Sequence, residues 1–174
     1  VDGVAMILNP FYLAATNGFW GPRGTNHLDG GAHFYNVYGT ADGKWVSVGA
    51  IEPQFYLELV EGMGLREDEL CTPSRQMDRS VWSEAKRRFA SVFASRTRDE
   101  WCAVFEGGNA CFAPVLAPEE VSSHAHITAR STVVSVNGVT QAAPAPRFSR
   151  TPGAVGLSRH PGADSLTDVL ASWS

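Results

Sequence analysis

The run from Phe34 to Tyr56 leaves the backbone few choices. Two apolar, strand-like stretches, Phe34 to Thr40 and Lys44 to Ala50, flank Ala41-Asp42-Gly43, and an Asp-Gly turn between alternating apolar residues is a strong β-hairpin signal. The second stretch continues as Val48-Gly49-Ala50-Ile51 and delivers one carboxylate, Glu52, directly before Pro53. Proline has a fixed φ and no N–H, so it suits the first position of a helix. From Pro53 the residues Phe55, Leu59 and Met63 recur at four-residue spacing until Gly62-Met63-Gly64, where glycine favours termination. Glu52 is therefore expected at a strand-to-helix junction. Val46, Val48, Ala50 and Ile51 around it suggest partial burial, which disfavours the charged form unless a cation or N–H group faces it. The plainer alternative is a helix N-terminal carboxylate favoured by the dipole.

Ahead of the hairpin, Gly18 to Gly31 holds five glycines and one proline and reads as loop. Taken alone, Asp29-Gly30-Gly31 is a turn whose glycines serve backbone geometry, and Tyr35 and Tyr38 are strand aromatics. The chain opens on Val1, Val4, Ala5, Ile7 and Leu8, as if a helix were entered part-way, with a break expected near Asn9-Pro10. Downstream, Trp82, Ala85, Phe89, Val92 and Phe93 share one helical face. Lys86, Arg87 and Arg88 on that helix form a solvated basic face or a contact for a phosphate. Thr97-Arg98-Asp99-Glu100 is a capping box opening a helix with Trp101, Val104 and Phe105, closed by Gly107-Gly108. Cys111 to Leu116 reads as a buried strand, and Pro118 starts a short helix. Thr132 to Val136, Asn137-Gly138 and Val139 to Gln141 form a second hairpin. Pro144-Ala145-Pro146 is extended, Leu157 to Gly162 is loop-like, and Leu166, Val169, Leu170 and Trp173 make a last amphipathic helix.

A length of 174 residues with 44% hydrophobic and 18% charged content suits about one globular domain. A formal charge of −4 argues against non-specific binding to nucleic acid or anionic membrane. No apolar run approaches the ~20 residues of a spanning helix, and the N-terminus lacks the regions of a signal peptide, so a soluble, cytoplasmic protein is expected. Cys71, Cys102 and Cys111 show no metal-like spacing and read as reduced thiols. His124 and His126, two apart, point to different faces of a helix and do not suggest a metal site. There is no Gly-x-Ser-x-Gly elbow, phosphate loop or dinucleotide fingerprint.

Specificity enters with a resemblance. Arg23-Gly24-Thr25-Asn26, Leu28-Asp29-Gly30-Gly31-Ala32, Ala41-Asp42-Gly43-Lys44 and Val48 through Tyr56 resemble the alpha-methylacyl-CoA racemases of the family III CoA-transferase group. Ala113-Pro114-Val115-Leu116, Ala145 through Thr151 and Thr167-Asp168-Val169-Leu170 agree. The likeness covers nearly the whole chain but only the C-terminal half of such enzymes, which are roughly twice as long. It implies interconversion of R and S 2-methylacyl-CoA thioesters through an enolate. No cofactor or metal is implied, CoA being part of the substrate. An acid and a base face each other across the α-carbon; in the family these are a His and an Asp of the large domain, without counterpart here. The resemblance makes Glu52 the glutamate that pairs with that histidine as a supporting catalytic residue. It places Asn26, Leu28, Asp29, Gly30, Tyr35 and Ile51 in the active-site loop and acyl-facing wall. His27 stands where relatives carry Met or Leu, and His33 where many carry Pro.

The fold expected is α+β, the small family III domain of β-hairpins and packed helices. Residues 1–25 connect from the large domain, 26–150 form the small domain, and 151–174 return toward the large one. The function expected is that of the C-terminal part of a racemase, inactive by itself, in a lipid-metabolic, interlocked homodimer. A family III CoA transferase, or a non-catalytic interaction module or half of a split enzyme, are the alternatives.

Overall fold

The computed structural model describes residues 1–155 and 170–171. Contacts divide the chain into two compact units, Val1–Val115 and Leu116–Ser174. The first opens with helices α1 (Asp2–Ile7) and α2 (Asn9–Thr16). The break falls at Leu8, one residue earlier than expected. Pro10 then sits in the first turn of α2, where its missing N–H is not needed. Neither helix buries a residue.

The expected hairpin is present as β1 (Tyr35–Gly39) and β2 (Trp45–Gly49), paired antiparallel with Tyr38 opposite Val46. Gly43 takes φ +72, and its N–H donates to Thr40 O at 3.0 Å. Asp42 accepts from the Thr40 hydroxyl and from Arg98 N–H, tying the turn to the helix that starts at Arg98. Helix α3 (Pro53–Gly62) follows with Pro53 leading and Gly64 left-handed after its end. A single 3₁₀ turn, Pro73–Arg75, precedes α4 (Trp82–Phe93) and α5 (Arg98–Phe105). The last strand of this unit, β3 (Phe112–Val115), pairs with β2 to give the order β1-β2-β3.

Strand β3 corrects the expectation of a buried strand. It is an edge, and its residues alternate between half-buried and exposed. Alternation holds across the sheet: Tyr38, Val46 and Val48 are buried on one face, while Tyr35, Val37, Trp45 and Val115 on the other are exposed. The buried face meets the stripe predicted for α4, with Tyr38 stacked on Phe93 at 5.2 Å and Phe93 edge-on to Trp101 at 5.1 Å. Both core tryptophans satisfy their N–H groups, Trp82 on Gln76 O at 2.8 Å and Trp101 on Phe93 O at 2.9 Å.

The capping box is formed: Glu100 accepts from Thr97 N–H at 2.8 Å while its own N–H donates to the Thr97 hydroxyl. Thr97→Ala is expected to lower unfolding free energy by about 1 kcal/mol, read as a lower urea midpoint at constant slope. No change in midpoint would mean that α5 does not depend on its cap.

The second unit contains α6 (Pro118–Val121), α7 (Ala125–Ala129) and the hairpin β4 (Val133–Val136) and β5 (Val139–Ala142). Asn137 and Gly138 have φ +52 and +77, as a two-residue turn of this kind requires. Of the expected final helix, Leu170 and Ala171 are helical, while Leu166, Val169 and Trp173 lie outside the described residues, as does the loop at 157–162. The α+β class is as expected, and no helix among the described residues is long and apolar enough to cross a membrane.

Candidate active-site segment

The loop before β1 is organised by two of the candidate residues. Asn26 is fully buried: its Oδ1 accepts from Gly21 N–H at 2.6 Å, and its Nδ2 donates to Gly21 O, Pro22 O and Asp29 Oδ2. Asp29 also accepts from the N–H groups of Gly24 and Asn26, both at 2.8 Å. The side-chain donor of Asn26, then these backbone donors, hold the Asp29 carboxyl below its ordinary range. Asn26 and Asp29 thus work on each other and on the loop. What the loop presents is Leu28, exposed, and the carbonyl of Gly30, which accepts from Asn36 Nδ2 at 3.2 Å and from Lys86 Nζ at 2.5 Å.

Leu28, Gly30 and Tyr35 line one groove of about 450 Å³. Asn36, Val37, Ser47, Val48, Gly49 and Cys111 complete it, so the groove lies over the exposed face at the end of the hairpin. Ile51 and Glu52 are not in its lining. Glu52 follows three residues after the lining residue Gly49, and its charge is felt at Cys111, another lining residue. The Cys111 thiol is pushed up by burial first, then by Glu52 and Glu58. Sequence reasoning missed Cys111, whose only signal was its place as the first residue of the strand expected over 111–116.

Glu52 departs from the partial burial expected of it: it is exposed. After Ala50, whose N–H still donates to Phe34 O, the chain leaves the sheet through a turn in which Ile51 N–H donates to Gly49 O, and the Glu52 side chain no longer follows the sheet's alternation. Its backbone is extended (φ −72, ψ 139) and its carbonyl accepts the first helical N–H bonds of α3. The carboxylate caps none of them. It is an exposed carboxylate not consumed by its own helix.

The basic run is divided. Lys86 serves the Gly30 carbonyl, Arg87 pairs with Glu84, and Arg88 pairs with Asp68 at 2.9 Å. The two departing histidines differ as well. His27 turns its ring edge-on to Trp82 at 4.9 Å and does not line the groove, and burial, then the Arg79 charge, lowers its pKa. His33 is fully buried among Phe34, Tyr56 and Phe89. Its Nε2 lies 2.8 Å from the Tyr56 hydroxyl, which donates its one proton to Cys71 O at 2.9 Å. His33 must then donate through Nε2–H, leaving Nδ1 as a buried lone pair without a partner. Among the described residues no cluster of three or more His, Cys, Asp or Glu could hold a metal ion.

Comparison with known proteins places these features. The chain is 44% identical to mouse alpha-methylacyl-CoA racemase over 99% of its own length and 45% of that protein's, and the match is to the C-terminal part. Human alpha-methylacyl-CoA racemase is also 44% identical, over 92% of this chain and 42% of its own length. The chain thus spans less than half of these relatives. A CaiB/baiF CoA-transferase family protein of Caenorhabditis elegans is 30% identical over 69% of the chain and 33% of its own length. Among solved structures, the protein Rv3272 of Mycobacterium tuberculosis superposes with a TM-score of 0.58 at 20% identity, covering 74% of this chain and 37% of that one, a likeness of fold. The sequence profile of CoA-transferase family III matches residues 1–165. With all but the last nine residues inside that match, the chain belongs to CoA-transferase family III.

Proposed function

We propose that this chain supplies the small-domain part of a racemase that interconverts R and S 2-methylacyl-CoA thioesters by moving a proton on and off the α-carbon through an enolate. The observation that carries the reading is the 44% identity to two alpha-methylacyl-CoA racemases across nearly the whole chain. Glu52, exposed and free of capping duty, is the supporting group for the reaction. It pairs with an imidazolium contributed by another part of the enzyme, and the acid and base that touch the α-carbon are a His and an Asp of that part. Leu28, Gly30 and Tyr35 face the acyl portion, Ile51 flanks Glu52, and Asn26 with Asp29 holds the loop that carries Leu28 and Gly30. In this reading residues 1–25 and 151–174 belong with a large domain, 26–150 with the small one. The working enzyme is a cytoplasmic homodimer of lipid metabolism, and it needs no cofactor or metal.

The test joins this chain to the N-terminal part of mouse alpha-methylacyl-CoA racemase, in place of that enzyme's matching region, and follows deuterium uptake from heavy water at the α-carbon of a 2-methylacyl-CoA. The hybrid should exchange, and the 174-residue chain by itself should not. In the hybrid, Glu52→Gln should slow turnover about tenfold, the equivalent of one pKa unit of lost imidazolium stabilisation. The pH at which the protonated histidine is lost should fall, because removing the anion disfavours the cation. A folded hybrid without exchange would overturn the assignment, as would exchange by the chain alone that survives Glu52→Gln. Unchanged kinetics with a lower melting temperature would leave Glu52 a helix-terminal residue only.

A further inference from the structure

We infer that Gln76, 25 and 26 residues along the chain from the two carbonyls it serves, is the positioning residue of Glu52. Its side chain is buried, with 2% of its surface exposed. The carboxamide Nε2 donates one hydrogen to Ala50 O at 3.0 Å and the other to Ile51 O at 2.8 Å, the two carbonyls immediately before Glu52. Ala50 N–H still donates to Phe34 O at 3.0 Å, but both carbonyls lie beyond the paired residues of β2, and Gln76 is the group that meets them. A neutral group with two donors on one atom answers this need; the opposite amide orientation would set Oε1 against two carbonyl oxygens. Lysine or arginine would bring a charge into a buried site, and asparagine is one methylene short.

The clamp is itself anchored. The Gln76 carbonyl accepts the Trp82 indole N–H at 2.8 Å, and Trp82 is a core residue at the head of α4. A rigid line therefore runs from α4 through Trp82 and Gln76 to Ala50 and Ile51. On the other side of Glu52, Pro53 fixes the start of α3. The Glu52 backbone is held between these two constraints. That matters because its exposed carboxylate caps nothing and takes its direction from the backbone. Displacing a catalytic group by about 1 Å is enough to cost substantial rate. The catalytic consequence rests on the function proposed above; the positioning itself does not.

Two measurements separate them. In the chain itself, Gln76→Met keeps the size and removes both donors, and Gln76→Glu replaces them by acceptors. The amide NMR signals of Ile51, Glu52 and Gln54 are expected to shift or broaden in both variants, with those of α5 and the middle of β1 unchanged. In the hybrid with the mouse N-terminal part, Gln76→Met should lower kcat about fivefold with KM within about twofold, a split that loss of folded protein alone does not produce in active-site-titrated enzyme. Unmoved signals at residues 51, 52 and 54 would overturn the inference, as would moved signals with unchanged kcat in an active hybrid. Should Gln76→Met not fold, Gln76→Asn, shorter but neutral, reads the same signals. If the unsubstituted hybrid is inactive, the proposed function fails, and the amide signals alone decide whether Gln76 holds Glu52.

Discussion

Lowering the pH from 7 to 4 is expected to remove about 3 kcal/mol of stability through one imidazole, that of His33. Burial lowers its pKa from 6.5 to about 4 in the folded chain, and the geometry says why. Protonation would add an N–H at Nδ1, which has no acceptor, inside a shell of Phe34, Tyr56 and Phe89 rings. The unfolded chain takes up that proton near pH 6.5 and the folded one only near 4, so between these values the unfolded state binds more protons. The contribution is therefore fully present above about pH 6.5 and declines as pH falls through that window, flattening below about 4. The measurement is unfolding free energy against pH for the natural chain and for His33→Phe, which cannot titrate. The variant should fall less steeply than the natural chain, by up to about 1.4 kcal/mol per unit. His27, also lowered, adds a slope of the same sign to both proteins. The carboxyls of Asp29, Asp42, Asp78 and Glu100, all lowered by hydrogen bonds, add theirs at still lower pH. A His33 ring titrating near 6.5 in folded protein would defeat this account.

Gly31→Ala should cost about 2–3 kcal/mol. Here the demand is steric, since a Cβ at Gly31 would stand 2.4 Å from the Thr25 carbonyl carbon and 2.6 Å from both N and O of Asn26. Those atoms are backbone, and they belong to the loop that Asn26 and Asp29 fix through five hydrogen bonds to main chain and one to each other. Neither neighbour yields without loosening that network. Gly30→Ala is the contrast: φ is +89, but the nearest atom is Asn36 Oδ1 at 3.9 Å, so the loss is conformational and nearer 1 kcal/mol. Denaturant midpoints for the two variants give the comparison. Equal midpoints would show that the loop adapts freely.

What could be read from sequence was what is local. The Asp-Gly and Asn-Gly hairpins, Pro53 at the head of α3, the stripe of α4 and the Thr97 cap each depend on residues within a turn or two of one another. The contacts that shape the candidate site reach further. Gln76 finds Ala50 and Ile51, Lys86 finds Gly30, and Cys111 joins the hairpin only because β3 pairs with β2. No periodicity announces a buried glutamine or selects the carbonyl it serves. The exposure of Glu52 escaped for a related reason: apolar neighbours signal burial only while the strand alternation lasts, and it holds through the buried Ala50 and is broken by the turn at Ile51. His33 was legible as a departure from related sequences and not as a core residue, since only the packed ring shell defines its environment.

The three-stranded sheet has one property that bears on association with other chains. On β1, the outward-pointing N–H of Val37 is already taken by the side-chain oxygen of the preceding Asn36, at 2.8 Å. On β3, Gly49 donates to Cys111 O, so Ala113 and Val115 are the residues that face β2, and Pro114 occupies an outward position where it offers no donor. Each border of the sheet thus lacks a donor that an incoming strand would use. Such blunted borders resist the strand-by-strand growth that leads to fibrils and runaway oligomers. A partner that binds this unit is thus steered toward side-chain contact with its face, where geometry can limit the assembly to a defined number of subunits.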